Sequence, residues 1–184
     1  MTKRKISTTQ LCLDAMMAGI VALLGYIALD FGTIKITFES LPVLLAALMY
    51  GPVDGMLVGA VGTLIYQVLK YGLTVTTLLW MLPYIIIGLV AGLYASRKNY
   101  SNTKKQLLLI VIICQILEWL LNTGVMIIDA KIYEYPYEIT FVMALIRLGV
   151  TVIKGFIFGL LMPGVLIKLT RFTGNGQDAK RNYH

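Results

Sequence analysis

The sequence predicts an all-α integral membrane domain with six transmembrane helices and with both the N-terminus and the C-terminus in the cytoplasm. Of its 184 residues, 58% are hydrophobic and only 14% are charged, and the mean hydropathy is +0.80. Soluble domains carry about 25% charged residues, whereas uncharged blocks of ~20 residues are typical of membrane-spanning helices. A further observation is the uneven distribution of Lys and Arg between alternate loops.

The apolar blocks divide into six predicted helices. We interpret the first block as a membrane span and not as a cleavable signal peptide, because it is long and other membrane blocks follow it. The last block is long enough to tilt or to extend into the cytoplasm. In chain order the segments are Thr8–Leu29, Leu41–Tyr50, Pro52–Leu69, Thr76–Ala95, Gln106–Ile128 and Ile139–Leu169.

The second and third segments form one apolar run that is interrupted at Gly51-Pro52-Val53-Asp54-Gly55. Proline cannot continue a helix interior and is favoured in the first turn of a new helix, while glycine favours a tight turn. We therefore expect a short helix, a turn at Gly51-Pro52 and a full-length helix. Asp54 would lie in the first turn of that helix and cap its free amides. A single kinked span is the competing interpretation.

Charge placement supports six spans with a cytoplasmic N-terminus. Basic residues are retained on the cytoplasmic side of membrane proteins. The predicted outer loops contain only Lys35, Lys70 and Lys131. The predicted cytoplasmic segments contain Lys3, Arg4, Lys5, Arg97, Lys98, Lys104, Lys105, Lys168, Arg171, Lys180 and Arg181. We therefore expect a single domain over residues 1–184 in the cell membrane, with cytoplasmic tails at 1–7 and 171–184.

Several function classes are disfavoured by the same composition. The net charge of +7 is explained by this topology, and a nucleic-acid partner is not expected. Cys12 and Cys114 lie in apolar blocks and are interpreted as packing residues. The sequence has no phosphate-binding G-x-x-x-x-G-K-[ST] motif, no Cys/His cluster and no G-x-S-x-G nucleophile motif. We expect no catalytic residue, no metal and no cofactor.

The first helix carries small residues at four-residue spacing. Ala15 and Gly19 form one such pair, and Ala18 and Ala22 form another, so the four residues are predicted to line one helix face. Small residues let membrane helices approach closely. These residues are interpreted either as internal packing or as a docking face for another membrane protein.

Charges also occur inside the fifth and sixth segments. Counted from the segment ends, Glu118 lies ~18 Å from the inner end and Arg147 ~12 Å from the outer end, which is the same depth in a core of ~30 Å. The pair is therefore predicted either to form an intramembrane ion pair or to contact a ligand together. Lys154 is expected to pair with Asp54 or Asp14, or to extend toward the interface.

Polar and aromatic residues converge on the predicted outer end. A concave site with aromatic walls and a few polar groups is typical of a small-molecule pocket, and basic side chains suit a ligand carboxylate. The wider rim includes Glu39, Tyr71, Thr76, Thr77, Tyr133, Tyr135 and Tyr137. The predicted substrate-binding residues are Lys35, Thr37, Phe38, Gln67, Lys70, Trp80, Glu118, Asn122 and Arg147.

The chain resembles the substrate-binding S components of energy-coupling factor (ECF) vitamin transporters, most closely the folate-type subfamily. The resemblance rests on IKITFESLPVLLAALMYGPVDGMLVGAVG, TTLLWMLPYIIIGLVAGLY, LNTGVM and ALIRLGVTVIKGFI, and AGIVA resembles the alanine motif of the family. Gly62 is followed by Thr63, where folate-type members often have an acidic residue nearby, and the Lys70-Tyr71-Gly72 turn lacks their proline-rich character. Folate or a related compound is the expected substrate, and pantothenate, hydroxymethylpyrimidine and a pyridoxine-like vitamin are the alternatives.

The resemblance implies a six-helix domain that binds one vitamin near the outer face and performs no catalysis itself. It implies a transmembrane coupling protein and two cytoplasmic ATPases as partners, with lipid around the domain. Ala15, Ala18, Gly19 and Ala22 would dock the coupling protein, and ATP hydrolysis would topple the subunit to release its cargo inside. The segment Asp30–Ser40 would cover the pocket. As a hypothesis of our own, Trp80 stacks on a heterocycle, and Glu118 or Asn122 accepts its N–H groups. A structural membrane subunit and an intramembrane enzyme are the remaining alternatives.

Overall fold

A computed structural model describes residues 8–30, 35–100, 102–134 and 141–172. In these ranges it has six α-helices and two short strands. Five of the helices are long and apolar enough to cross a membrane. The elements are α1 (Thr8–Tyr26), β1 (Leu29–Asp30), β2 (Lys35–Ile36), α2 (Ser40–Tyr50), α3 (Pro52–Tyr71), α4 (Thr77–Arg97), α5 (Lys104–Ile132) and α6 (Phe141–Phe172).

The predicted turn between the second and third segments is confirmed. Gly51 has φ 108°, a conformation that favours glycine, and Pro52 opens α3. The single kinked span is therefore wrong. Asp54 lies in the first turn of α3 as expected, but Gly51 is the N-cap and has no side-chain cap. Gln10 Nε2 donates to Asp54 Oδ1 at 2.7 Å, so this carboxylate ties α1 to α3.

Most helix boundaries differ from the prediction by one to four residues; α1, for example, ends at Tyr26 and not at Leu29. Two of these differences have a local cause. α5 begins at Lys104, before the predicted Gln106, because Thr103 forms a capping box. The Gln106 amide donates to Thr103 Oγ1 at 3.4 Å, and the Thr103 amide donates to Gln106 Oε1 at 3.1 Å. α3 continues to Tyr71 and ends at Gly72, which has φ 75° and whose amide donates to the Val68 carbonyl. Of the predicted sixth segment, Ile139 and Thr140 lie outside the described residues.

The segment before α2 contains a strand pair that the sequence analysis did not predict. Leu29 faces Ile36 and Asp30 faces Lys35 in an antiparallel register. The sequence places Gly32 just before the run Thr33-Ile34-Lys35-Ile36-Thr37, which alternates β-branched residues and is a strand signal next to a turn residue. This pairing returns the chain to the start of α2.

The short helix α2 is the centre of the bundle. It has 11 residues, so it is ~16 Å long and about half of the ~30 Å needed to cross a hydrocarbon core. It contacts α1, α3, α4 and α6, and Val43, Leu44 and Ala47 are fully buried. A helix that is apolar on all sides is typically buried in this way.

Glycines allow α3 and α4 to close around α2. A Cβ atom at Gly88 of α4 would lie 2.5 Å from the carbonyl carbon and oxygen of Gly55 in α3. At Gly55, a Cβ would lie 2.5 Å from the Cβ of Ala47 in α2. At Gly92, it would meet the backbone of Pro52, so the α2–α3 turn rests directly on α4. Backbones approach this closely in membranes only where side chains are small.

This packing predicts different effects for two Gly→Ala variants. Gly88→Ala should lower the free energy of unfolding by about 1–3 kcal/mol, because the added methyl group displaces the Gly55 backbone. Gly164→Ala is the matched control, since a Cβ there has nothing within 4 Å. Its thermal midpoint in detergent should equal or slightly exceed that of the parent. Equal midpoints for the two variants would contradict the close α3–α4 contact.

Candidate functional site

A cavity of about 420 Å³ lies at the end of the bundle opposite the Gly51-Pro52 turn. This volume is in the usual range of small-molecule sites, ~300–1,000 Å³. Its walls come from the segment before α2, the end of α3, the start of α4, the second half of α5 and α6. The lining residues are Thr37, Glu39, Tyr66, Gln67, Tyr71, Thr74, Thr76, Trp80, Tyr84, Asn122, Met126, Asp129, Tyr133 and Arg147.

The shortness of α2 places this cavity. Measured from the turn, α2 reaches only ~16 Å, whereas Tyr66 and Tyr71 of α3 lie ~21 Å and ~28 Å along their helix. The longer helices therefore continue past the N-terminal end of α2, and the cavity lies in the space beyond it. Tyr71 and Tyr133 are 51% and 47% exposed, so the cavity can be reached from this end of the bundle.

Aromatic and carboxylate side chains form much of the wall. Trp80 Nε1 donates to Asp129 Oδ1 at 3.3 Å, which fixes the indole of α4 against α5. Tyr66 and Tyr71 meet edge to face, with ring centroids 6.0 Å apart. Glu39 is 1% exposed and packs beside Gly25, where a Cβ would lie 2.8 Å from the Glu39 carboxyl carbon. The end of α1 thus supports this wall.

The α3–α4 connection contributes hydroxyl groups held by local hydrogen bonds. The Thr74 amide donates to Thr77 Oγ1 at 2.9 Å, and the Thr74 and Thr77 hydroxyls are 2.9 Å apart. Thr76 Oγ1 lies 3.4 Å from Thr74 Oγ1. Such Thr side chains fix a turn by bonding nearby backbone, and here they set the rim of the cavity.

Arg147 is the basic residue in the described wall. Its Nη1 lies 3.5 Å from Met126 Sδ, and both residues line the cavity. The two carboxylates of the described wall are Glu39 and Asp129. The cavity therefore offers both signs of charge among aromatic surfaces, which suits a ligand with an aromatic ring and polar ends.

The structure brings several of the predicted site residues together. Thr37, Gln67, Trp80, Asn122 and Arg147 all line the cavity. Lys35 lies in β2, and its side chain is outside the described part of the chain. Among the described residues, Phe38, Lys70 and Glu118 lie off the wall.

These three residues have other neighbours. Phe38 packs against Phe158 of α6, with centroids 6.0 Å apart. Lys70 Nζ lies 5.8 Å from the centroid of the Tyr71 ring, so it is close to the rim. Glu118 Oε1 forms an ion pair with Lys154 Nζ at 3.3 Å.

The predicted partners of the intramembrane charges are therefore wrong. Glu118 pairs with Lys154 and not with Arg147, and Lys154 pairs with neither Asp54 nor Asp14. The reason is the antiparallel register of α5 and α6, in which Met126 faces Arg147 and Glu118 faces Lys154. Depths counted from the ends of the hydrophobic segments placed Arg147 about two turns too deep.

Other wall residues were missed by the sequence analysis although a signal exists. Met126 and Asp129 lie between the predicted site residue Asn122 and the predicted rim residue Tyr133, at spacings of four, three and four residues, which puts all four on one face of α5. Tyr84 follows Trp80 by one turn of α4. Including the residues one helical turn away from each predicted residue, on the same helix face, would have identified these positions. Tyr135 and Tyr137 of the predicted rim lie outside the described residues.

The small residues of α1 point in two directions. Ala18 and Ala22 are 4% and 7% exposed and belong to the interior, where a Cβ at Gly62 of α3 would lie 2.8 Å from the Ala18 carbonyl. Ala15 and Gly19 are exposed. The two pairs therefore do not form a single face.

Comparison with known proteins identifies a family and similar solved structures. The family model described as the substrate-specific component of ECF transporters matches residues 9–166. The solved structure described as the S component of a bacterial ECF transporter is similar with a TM-score of 0.55 and 24% identity, covering 91% of this chain and 96% of that one. The crystal structure of FolT bound with folic acid is similar with a TM-score of 0.61 and 19% identity, covering 84% and 93%. At these identities the likeness shows the fold.

Two curated relatives are called UPF0397 proteins. The relative from Lactobacillus johnsonii is 35% identical over 103 residues, and the relative from Lactobacillus gasseri is 36% identical over 103 residues. Each match covers 53% of this chain and 54% of the relative. The chain thus spans about half the length of the curated relatives it matches.

Proposed function

Because the chain belongs to the family of substrate-specific components of ECF transporters, we propose that it binds a small water-soluble vitamin in the cavity beyond α2 for uptake. Folate or a related compound is the proposed substrate. The observation that carries this proposal is the cavity of about 420 Å³ with aromatic walls and convergent polar groups. The FolT structure, which is bound with folic acid, shares this fold.

The wall suits a heteroaromatic ring. Trp80 is fixed by its bond to Asp129, so its indole face is preorganised for the stacking that we hypothesised from the sequence. Carboxylate and amide oxygens of Glu39, Gln67 and Asn122 are acceptors for ring N–H groups. In this proposal the ring lies between α4 and α5.

Arg147 suits an acidic group on the same ligand. A guanidinium binds a carboxylate through two parallel hydrogen bonds, and Arg147 lines the cavity. Lys70 lies beside the rim residue Tyr71, and we propose that it adds a longer-range attraction, together with Lys35. Folate has a heteroaromatic ring and carboxylates and so uses both features, whereas the acyclic pantothenate uses only the contact of its carboxylate with Arg147.

A second candidate is a neutral or cationic heteroaromatic vitamin, such as hydroxymethylpyrimidine or pyridoxine. The specific observation in its favour is that the described wall holds two carboxylates, Glu39 and Asp129, and one guanidinium. Such a ligand would leave Arg147 without a direct role.

We propose that the five long helices and α2 form six membrane segments, with both termini in the cytoplasm of a bacterial cell. The Gly51-Pro52 turn and the Arg97–Lys105 connection then lie inside, in agreement with the basic residues there. The cavity opens outside, where a vitamin arrives.

We also propose that a transmembrane coupling protein and two ATPases drive import. In this proposal, the exposed residues Ala15 and Gly19 of α1 contact the coupling protein, because small residues permit close helix packing. Ala18 and Ala22 contribute indirectly, by holding α1 against α3.

The charge of the ligand can be tested by a vitamin titration of the purified protein. Arg147→Gln should weaken binding of folate by about tenfold or more, because a hydrogen bond to a charged group contributes ~1.5–3 kcal/mol. Trp80→Ala should also weaken binding through loss of stacking. Lys131→Gln, at the exposed end of α5, is the matched control and should not change the affinity.

The same titration includes pantothenate, pyridoxine and hydroxymethylpyrimidine. Tight binding of pyridoxine or hydroxymethylpyrimidine that is insensitive to Arg147→Gln would favour the second candidate. Folate binding that neither Arg147→Gln nor Trp80→Ala weakens would contradict the proposed site.

If α1 contacts the coupling protein, a bulky side chain on its exposed face should prevent assembly with the coupling protein and the ATPases but leave vitamin binding unchanged. Gly19→Trp should prevent co-purification with the coupling protein and ATPases from the native host, because the indole blocks close helix approach. Its vitamin affinity should equal that of the parent. Leu109→Trp, at an exposed position of α5, should assemble normally. Intact assembly of the Gly19→Trp protein would rule out this surface.

A further inference from the structure

A buried cation lies directly beneath one wall of the cavity. Lys154 Nζ of α6 donates to Glu118 Oε1 of α5 at 3.3 Å and also to the backbone carbonyl of Thr37 at 3.3 Å. The side chains of Lys154 and Glu118 are 10% and 4% exposed. Thr37 lines the cavity, whereas Lys154 and Glu118 do not.

An ammonium group this deep in a membrane domain needs partners for its charge and its three donors. Glu118 supplies a counter-charge, and the Thr37 carbonyl supplies a second acceptor. The face of the Phe158 ring, with its centroid 5.9 Å from Nζ, adds a cation–π contact. The Thr37 carbonyl is therefore one of the groups that solvate this lysine in place of water.

The residues after Thr37 are held by the same two helices. Phe38 packs on Phe158 of α6. Ser40 Oγ accepts a hydrogen bond at 2.9 Å from Gln115 Nε2 of α5, about one turn from Glu118. Glu39, between them, lines the cavity. The short wall segment 37–40 is thus attached to α5 and α6 at Thr37, Phe38 and Ser40, and the attachment at Thr37 is made by a charged group.

We propose that Lys154 is a positioning residue for the vitamin site. Glu118 fixes the ammonium group, and the ammonium group fixes the Thr37 carbonyl, so that Thr37 and Glu39 face the ligand in one arrangement. The consequence for vitamin affinity rests on the proposed function, whereas the attachment of Thr37 does not. An ion pair that only joined α5 to α6 would leave the wall segment unaffected by its removal.

The test replaces both charges at once. Removing one partner would leave a buried unpaired charge, but replacing a whole buried ion pair by uncharged residues is often tolerated. The variant Glu118→Gln/Lys154→Met therefore keeps the fold and removes the donor to Thr37. Glu118→Leu/Lys154→Leu serves if the first variant does not fold, and Lys168→Met, at an exposed position of α6, is the matched control.

The first readout is the accessibility of the wall segment without ligand. Thr37→Cys is introduced with Cys12→Ala, because Cys12 is exposed, while the fully buried Cys114 stays. Labelling by a hydrophilic maleimide should be about tenfold faster in the double variant than in the parent or the Lys168→Met protein, at a similar thermal midpoint. An unchanged labelling rate would overturn the proposal, whatever the thermal midpoint.

The second readout is affinity for folate, pantothenate, pyridoxine and hydroxymethylpyrimidine, measured with Thr37 intact. The vitamin that the parent binds should bind about tenfold more weakly to the double variant. Equal affinity would overturn the role of Lys154 in binding while leaving the proposed function standing. If the parent binds none of the four vitamins, the proposed substrates are wrong, and the labelling rate alone decides whether Lys154 positions the wall.

Discussion

The burial of α2 on every side is the constraint on which the rest of the structure depends. An 11-residue helix cannot cross a hydrocarbon core, and in lipid its ends would expose backbone groups that need hydrogen-bond partners. The fold surrounds α2 with longer helices, and Gly55, Gly88 and Gly92 let α3 and α4 come close enough to do so. The cavity follows from the same arrangement, because the neighbours of α2 continue beyond its N-terminal end.

The polar side chains discussed above form three sets at different depths of the bundle. At the closed end, Asp54 and Gln10 join α1 to α3. At mid-depth, Glu118 and Lys154 join α5 to α6 and reach the Thr37 carbonyl. At the open end, Trp80, Asp129 and Arg147 line the cavity. Within the described part of the chain, the last group lines the cavity, whereas the first two groups join helices to one another.

The sequence predicts the helices well because lipid imposes simple rules on length and polarity. Apolar runs, together with Gly51-Pro52, locate all six helices to within a few residues. The capping box at Thr103 and the strand pair before α2 depend on local side-chain and backbone hydrogen bonds that hydropathy does not register.

The cavity residues Trp80, Asn122 and Arg147 were predictable because polar side chains at one end of the bundle converge. The partner of Glu118 was not, since it depends on the register between α5 and α6, and an error of two turns exchanges Arg147 for Lys154.

The central claim is that the space beyond α2 holds a vitamin. The most direct measurement is mass spectrometry of the small molecules extracted from the protein after purification from vitamin-replete cells. The account predicts one vitamin per chain, lost when Trp80 is replaced by Ala. A protein that carries no such molecule, and whose thermal midpoint does not change with folate, pantothenate, pyridoxine or hydroxymethylpyrimidine, would contradict it.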